Sequence, residues 1–239
     1  MRNRFLSRPG WGGLMVPVLL VTLLAMSTVA SSAAESVLRR GNGGEPTTLD
    51  PHRTDGRIES NILRDLFEGL VVAGPDGSVQ PGVAETWETS DDGLVYTFHL
   101  RGNAKWSNGD PLTSADFVYS LRRAIAPRAG SDFAANLAVI KNADAVMAGK
   151  AAPTELGIEA PDATTLRILL RGPTPYFLAL LSSDNRALPV YRPTVEKDGA
   201  DAFRLGTLIA NGAYRLSDWK PGEQLTLERN PFYHHVGDL

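Results

Sequence analysis

The 239-residue chain is 43% hydrophobic and 21% charged, which excludes a disordered chain and supplies apolar material for one large or two small packed cores. It has no cysteine, so disulfides, thiol catalysis, thiolate metal sites and a lipid-attachment cysteine are excluded. With Arg2, Arg4 and Arg8 set aside as part of an N-terminal export segment, 24 basic residues become 21 against 27 acidic ones, a net −6 that argues against nucleic acid as a partner.

That segment is residues 1–34. Its three arginines precede an apolar run, Leu14–Ala30, which ends in small residues with Ser32 and Ala34 at the two recognition positions. The pattern predicts a cleaved secretory signal peptide and a soluble periplasmic product. The alternative is a membrane anchor, which needs about 20 apolar residues; this run is shorter and contains Pro17.

Beyond it, "SVLRR" (Ser36–Arg40) reads as a strand, and "GNGGEPTTLDP" as irregular backbone without the context or GK[ST] ending of a phosphate loop. After "HRTDGR" a helix is expected to about Leu70, with Ile62, Leu63, Leu66, Phe67 and Leu70 as its apolar stripe and Gly69 at its end. Gly74–Gly77 reads as a turn. "ETWETSDDGLVYTFHLR" reads as two strands about Asp91–Gly93, with Leu94, Tyr96, Phe98 and Leu100 inward and His99 outward.

The stretch "AKWSNGDPLTSADFVYSLRRA" crowds carboxylate, amide and aromatic groups together, yet lacks the alternating ligands and distal Glu of a calcium loop. Asn108–Pro111 has the composition of a tight turn, and Thr113 with Asp116 resembles a capping box. The helix that follows buries Phe117, Val118, Leu121 and Ile125, turns Arg122 and Arg123 toward solvent and stops at Pro127. A second helix is expected over Phe133–Ala148, strands near Leu156–Glu159 and Thr165–Leu170, and a short helix at "TPYFLALL". Tyr214–Trp219 and Gln224–Glu228 form a hairpin turning at Pro221-Gly222. The fold class is α/β.

Signatures of a secreted hydrolase are missing. There is no G-x-S-x-G, S-x-x-K or H-E-x-x-H, and the histidines His52, His99, His234 and His235 have poor ligand spacing. No carboxylate pair is singled out for glycoside chemistry. The expectation is a protein that is not an enzyme, with no cofactor and no metal.

The phrases "EPTTLDPHRTDGRIESNILRDLFEGL", "QPGVAETWETSDDGLVYTFHLRGNAKWSNGDPLTSADFVYSLRRA", "PTPYFLALL" and "NGAYRLSDWKPGEQLTLERNPFY" carry a resemblance over nearly the whole mature chain. It resembles the extracellular solute-binding proteins of family 5, the periplasmic oligopeptide-binding components of bacterial ABC importers, which have dipeptide-, murein-peptide- and nickel-binding relatives. The resemblance implies a two-lobed periplasmic binding protein-like fold, with an extra small α/β domain in the first lobe and a second lobe absent from this chain. It assigns residues 35–67 and 193–239 to two segments of a base domain and residues 68–192 to the small domain. Peptide in the cleft, permease subunits in the inner membrane and a monomeric full-length protein are the implied partners and state. The other readings are a truncated non-importing remnant, or a binder of dipeptides, murein peptides or a nickel chelate.

The resemblance also names site residues. Asp55 matches an acidic cleft position, Gly56 would let backbone approach the ligand closely, and Arg57 departs from the usual apolar residue, which favours acidic or C-terminal ligand groups. Phe133 matches a cleft tyrosine without its hydroxyl. Read from the residues alone, Asp55–Arg57 has the alternative of a solvated turn before a helix, and Phe133 that of a core residue of the expected helix Phe133–Ala148. The aspartate that receives a peptide's ammonium in this family lies in the other lobe, outside this chain.

Overall fold

The computed structural model describes residues 37–54, 56–127 and 132–238. The chain divides into two units, Met1–Arg40 and Gly41–Leu239. Of the first, only residues 37–40 are described; the expected signal peptide lies outside them. The expected strand Ser36–Arg40 is not formed at residues 37–40, where Val37 and Leu38 are exposed and no strand among the described residues pairs with them. A strand needs a neighbour to take its backbone groups.

In the second unit, α1 (Arg57–Leu66) buries Ile62, Leu63 and Leu66 as one stripe. The helix stops before the expected Leu70. Phe67 turns to φ −126°, ψ 150°, and its N–H closes the last helical bond on Leu63 O. The reason is tertiary: the side chain of Asn211 pairs with both backbone groups of Glu68, at 3.1 and 2.8 Å. Gly212 N–H donates to Leu66 O at 2.8 Å. A Cβ on Gly212 would lie 2.6 to 2.7 Å from Leu66 and Phe67 backbone atoms, so only glycine lets these two segments cross.

The chain next pairs β1 (Val71–Ala73) with β2 (Val79–Pro81), two short strands about the expected Gly74–Gly77 turn. Then β3 (Ala84–Thr89), β4 (Val95–Leu100), β5 (Ile158–Glu159) and β6 (Thr165–Leu169) form an antiparallel sheet in the order β3-β4-β6-β5. Tyr96, Phe98 and Leu100 are buried, with Phe98 opposite Leu166 and Tyr96 opposite Ile168, and His99 faces outward toward Glu88 as expected of a cross-strand surface residue.

Against this sheet lies α2 (Ser114–Ala124), burying Phe117, Leu121 and Ala124. Phe117 and Leu121 each contribute about 1.5–3 kcal/mol through burial. Asp116 accepts from the Thr113 N–H and hydroxyl, at 2.8 and 2.9 Å, and so caps α2. Trp106 is fully buried, edge-on to Tyr191 at 5.4 Å, and Asp110 accepts from Asn108 and from the Tyr191 hydroxyl. The crowded stretch is thus a turn that launches a helix.

The expected helix Phe133–Ala148 is two pieces, a 3-10 helix Asp132–Val139 and α3 (Ala143–Met147). Between them Ile140 bridges to Leu170, and Asn142 takes φ +66°, a left-handed turn that Asn tolerates and a continuous helix forbids. α4 (Phe177–Ser183) buries Phe177 and Leu181 in the same core. A second core gathers Leu49, the α1 stripe, Phe67, Val190, Phe203 and Ala210. It includes α5 (Arg192–Asp198) through Val195, and the hairpin β7 (Tyr214–Lys220) and β8 (Gln224–Arg229) through half-buried Leu216, Trp219, Leu225 and Leu227.

Candidate functional site

The loop that leads into α1 is built by its own polar side chains. Asp50 accepts from His52 N–H at 3.1 Å and caps the 3-10 turn Pro51–Arg53. Three residues beyond that turn, Gly56 is the N-cap of α1; its carbonyl accepts from Ser60 N–H at 3.0 Å and from the Ser60 hydroxyl at 2.8 Å. Buried Glu59 reaches back and accepts from Thr47 N–H and its hydroxyl at 2.9 and 3.1 Å. Burial pushes the Glu59 carboxyl up, but the bonds from Thr47 and Thr54 outweigh it and hold the group below its ordinary range.

Long-range contacts fix this loop to the rest of the fold. Arg123, on α2, forks onto Asp50 at 2.9 and 2.5 Å and donates to His52 Nδ1 at 2.7 Å. With Nδ1 accepting, the His52 proton sits on Nε2, which donates to Leu188 O at 3.0 Å. Burial first, then the Arg123 charge, lower the His52 pKa from 6.5 to about 4, so the ring is neutral. Arg123 is therefore not on the solvated side expected from helical spacing: its partners are almost fully buried and its guanidinium stacks 5.3 Å from the Phe203 ring centre.

A turn at Asp184–Ala187 closes the arrangement. Asn185 donates to Ser60 at 2.8 Å, and Arg186 pairs with Asp184 at 3.2 Å, both side chains almost wholly buried. Asn136, in the 3-10 helix Asp132–Val139, donates to the other Asp184 oxygen at 3.0 Å. The backbone stretches that carry Gly56–Arg57 and Phe133 therefore both adjoin this turn.

Of the expected site residues, Gly56 is half-buried and Arg57 is exposed at the first position of α1. Asp55 lies outside the described residues, as does the side chain of Phe133. Gly56 has a reason of its own, since a Cβ there would lie 2.2 Å from Glu59 Oε2. Sequence reasoning missed Asp50, His52 and Arg123; the paired arginines of "SLRRA" were visible, but not that one of them faces inward.

A second polar cluster joins the end of α1 to the far end of the described chain. Burial raises Glu68 to about 8, and burial with neighbouring His235 and Arg101 lowers His234 to about 4. Glu68 Oε2 and His234 Nδ1 stand 3.5 Å apart, and with the carboxyl raised and the imidazole lowered both groups are neutral near pH 7.

The profile of the bacterial extracellular solute-binding proteins, family 5, matches residues 78–238. The chain belongs to this family. It is 45% identical to the periplasmic oligopeptide-binding protein OppA of Escherichia coli over 84% of this chain and 37% of that protein. It is 41% identical to the probable deoxycholate-binding periplasmic protein YgiS of the same organism, over 84% of this chain and 38% of that one. A crystal structure of Haemophilus influenzae OppA in complex with RPPGFSPFR superimposes with a TM-score of 0.80 at 40% identity, over 83% of this chain and 39% of that one. The chain thus spans under two-fifths of the length of these relatives, and like its solved neighbours it is mixed α/β, of the two-lobed periplasmic binding-protein class.

Proposed function

We propose that this chain is part of the substrate-binding component of an ABC importer, a protein that captures peptides in the periplasm and hands them to the permease. Asp55, Gly56 and Arg57 form one ligand-facing segment and Phe133 another. The protein does no chemistry on its ligand. The observation that carries this reading is the loop before α1: Asp50, His52, Glu59 and Ser60 all spend their hydrogen bonds inside the protein, leaving a prebuilt loop on which Arg53 and Arg57 are exposed. Prebuilt loops bind better because little ordering remains when the ligand arrives. Arg57 fits the same picture. A cation at a helix N-terminus is unfavourable by about 0.3–1 kcal/mol, so its place is better explained by ligand carboxylates than by α1. Residues 35–67 and 193–239 would be base segments and 68–192 the small domain, a division supported by the two separate cores.

A second reading follows from the deoxycholate-binding name of a relative at 41% identity: the ligand is an amphipathic carboxylate. Arg57 would serve it equally. Mass spectrometry of ligands co-purified with the whole protein as its gene encodes it, followed by calorimetry with tri- to pentapeptides and with deoxycholate, separates the two. Peptides bound at micromolar level support the first reading, and failure to bind any peptide overturns it.

A further inference from the structure

We propose that Arg123 is the positioning residue of this site: acting through Asp50 and His52, it holds Thr54, Gly56 and Arg57 in the geometry that meets the ligand, without touching the ligand itself. The inference rests on the peptide-binding reading for its consequence, but its structural half stands alone.

Three elements from different parts of the chain converge on one guanidinium. Arg123 comes from α2, whose neighbours Leu121 and Ala124 are buried in the sheet-bearing core. Asp50 and His52 come from the loop of the other core, and Leu188 follows the Asp184–Ala187 turn. The two guanidinium nitrogens take both Asp50 oxygens, and one of them also reaches His52 Nδ1. Only a planar fork can satisfy all three acceptors at once; a lysine ammonium is a single point and cannot span them.

The network leaves the loop one arrangement. Asp50 is bonded both to Arg123 and to the backbone N–H of His52, so its carboxylate cannot rotate without losing partners while buried. His52 is clamped on both ring nitrogens, by Arg123 and by Leu188. The other charges that face it are Asp50 and Arg186. Thr54, Gly56 and Arg57, farther along the same loop, therefore start from a fixed point. Buried ion pairs of this kind contribute little net stability over an apolar replacement, and their clearest use is to specify one geometry.

The test uses the purified, 15N-labelled whole protein as its gene encodes it, with Arg123→Met, which removes the charge, and Arg123→Lys, which keeps it and removes the fork. Ile168→Ala, a buried change in the sheet-bearing core, serves as a control of comparable destabilisation. The imidazole 15N shift of His52 Nδ1 reports the bond from Arg123, amide exchange reports the Gly56 carbonyl bond to Ser60, and titration with trialanine reports affinity. In the parent protein His52 carries its proton on Nε2, toward Leu188 O, and Nδ1 accepts from Arg123; in both Arg123 variants the Nδ1 shift moves, Ser60 amide protection falls at least tenfold and affinity falls at least tenfold. Ile168→Ala lowers the melting temperature and leaves all three unchanged. If the Arg123 variants keep the parent Nδ1 shift, Ser60 protection and affinity, or if Ile168→Ala shifts them equally, Arg123 has no positioning role. If the parent protein gives no response to trialanine while the Nδ1 and exchange changes still appear, the peptide-binding reading fails and the loop-fixing role of Arg123 stands.

Discussion

Gly56 offers a direct measurement of how the loop is built. Its φ of −69° and ψ of 145° suit any residue, so Gly56→Ala meets no backbone objection. The obstacle is Glu59, whose Oε2 would lie 2.2 Å from the new Cβ and whose Cδ would lie 3.3 Å away. A flexible, solvated glutamate would swing aside, but Glu59 is buried and held by Thr47 through its N–H and hydroxyl. Displacing it forfeits bonds to a carboxylate and leaves Thr47 N–H without its acceptor, a loss of about 1–3 kcal/mol. Alanine also narrows the unfolded ensemble, which returns about 0.4–1 kcal/mol. The expected net effect is therefore a destabilisation of about 1–2 kcal/mol. In a Glu59→Ala background the obstacle is gone, and Gly56→Ala becomes neutral or slightly stabilising. Urea unfolding of the four proteins of this double-mutant cycle reads the difference directly. Equal destabilisation by Gly56→Ala in both backgrounds would refute the claim that Glu59 dictates glycine here, and would return Gly56 to a ligand-driven explanation.

Gly212→Ala should be far worse than Gly56→Ala, because the new Cβ meets backbone of Leu66 and Phe67 at 2.6 to 2.7 Å and no side chain can yield; loss of cooperative folding in circular dichroism is expected, and a melting point within a few degrees of the parent would contradict it. Stability should peak near pH 6.5. Below it the depressed His52 and His234 make the unfolded state take up protons first, so their contribution, complete above 6.5, is lost as pH falls toward about 4; the raised Glu68 works with the opposite sign, its stabilisation full below 4.5 and fading as pH rises to about 8, so that above 6.5 it alone sets the slope. The His52 part alone amounts to about 3 kcal/mol, and urea midpoints that fall steadily from pH 5 to 8 would exclude it. Expressed alone, residues 35–239 should bind tri- to pentapeptides no more tightly than about millimolar, roughly −4 kcal/mol, because they span little over a third of the length of OppA; micromolar binding by a monomer in calorimetry and light scattering would show a complete site within them.

Most of the regular fold was legible in the sequence because it depends on short-range patterns. Alternation at Tyr96, Phe98 and Leu100 gave β4 and the outward face of His99, the Thr113–Asp116 spacing gave the start of α2, and Pro221-Gly222 gave the final hairpin. Where the reading failed, a distant residue had intervened. The end of α1 at Leu66 is set by Asn211 and Gly212, almost 150 positions away, and nothing in "LFEGL" records them. The break in the expected helix Phe133–Ala148 is set by the bridge from Ile140 to Leu170 and the left-handed Asn142.

The candidate site shows the same limit more sharply, because a site is made of such distant contacts. Helical spacing places Arg123 one step round α2 from Arg122, and on an isolated helix both would face water. What turns Arg123 inward is an acceptor set that no local pattern announces: Asp50 at the start of a 3-10 turn, and a histidine whose second nitrogen is already engaged by Leu188. Once Asp50 is buried, its charge must be matched by a cation within hydrogen-bond reach, since an unpaired carboxylate there would be costly. The cation that α2 presents toward Asp50 is Arg123, and its fork fits both Asp50 and His52. The motif "RR" is therefore two residues with opposite fates, one holding Thr154 O at the surface and the other fixing the loop before α1.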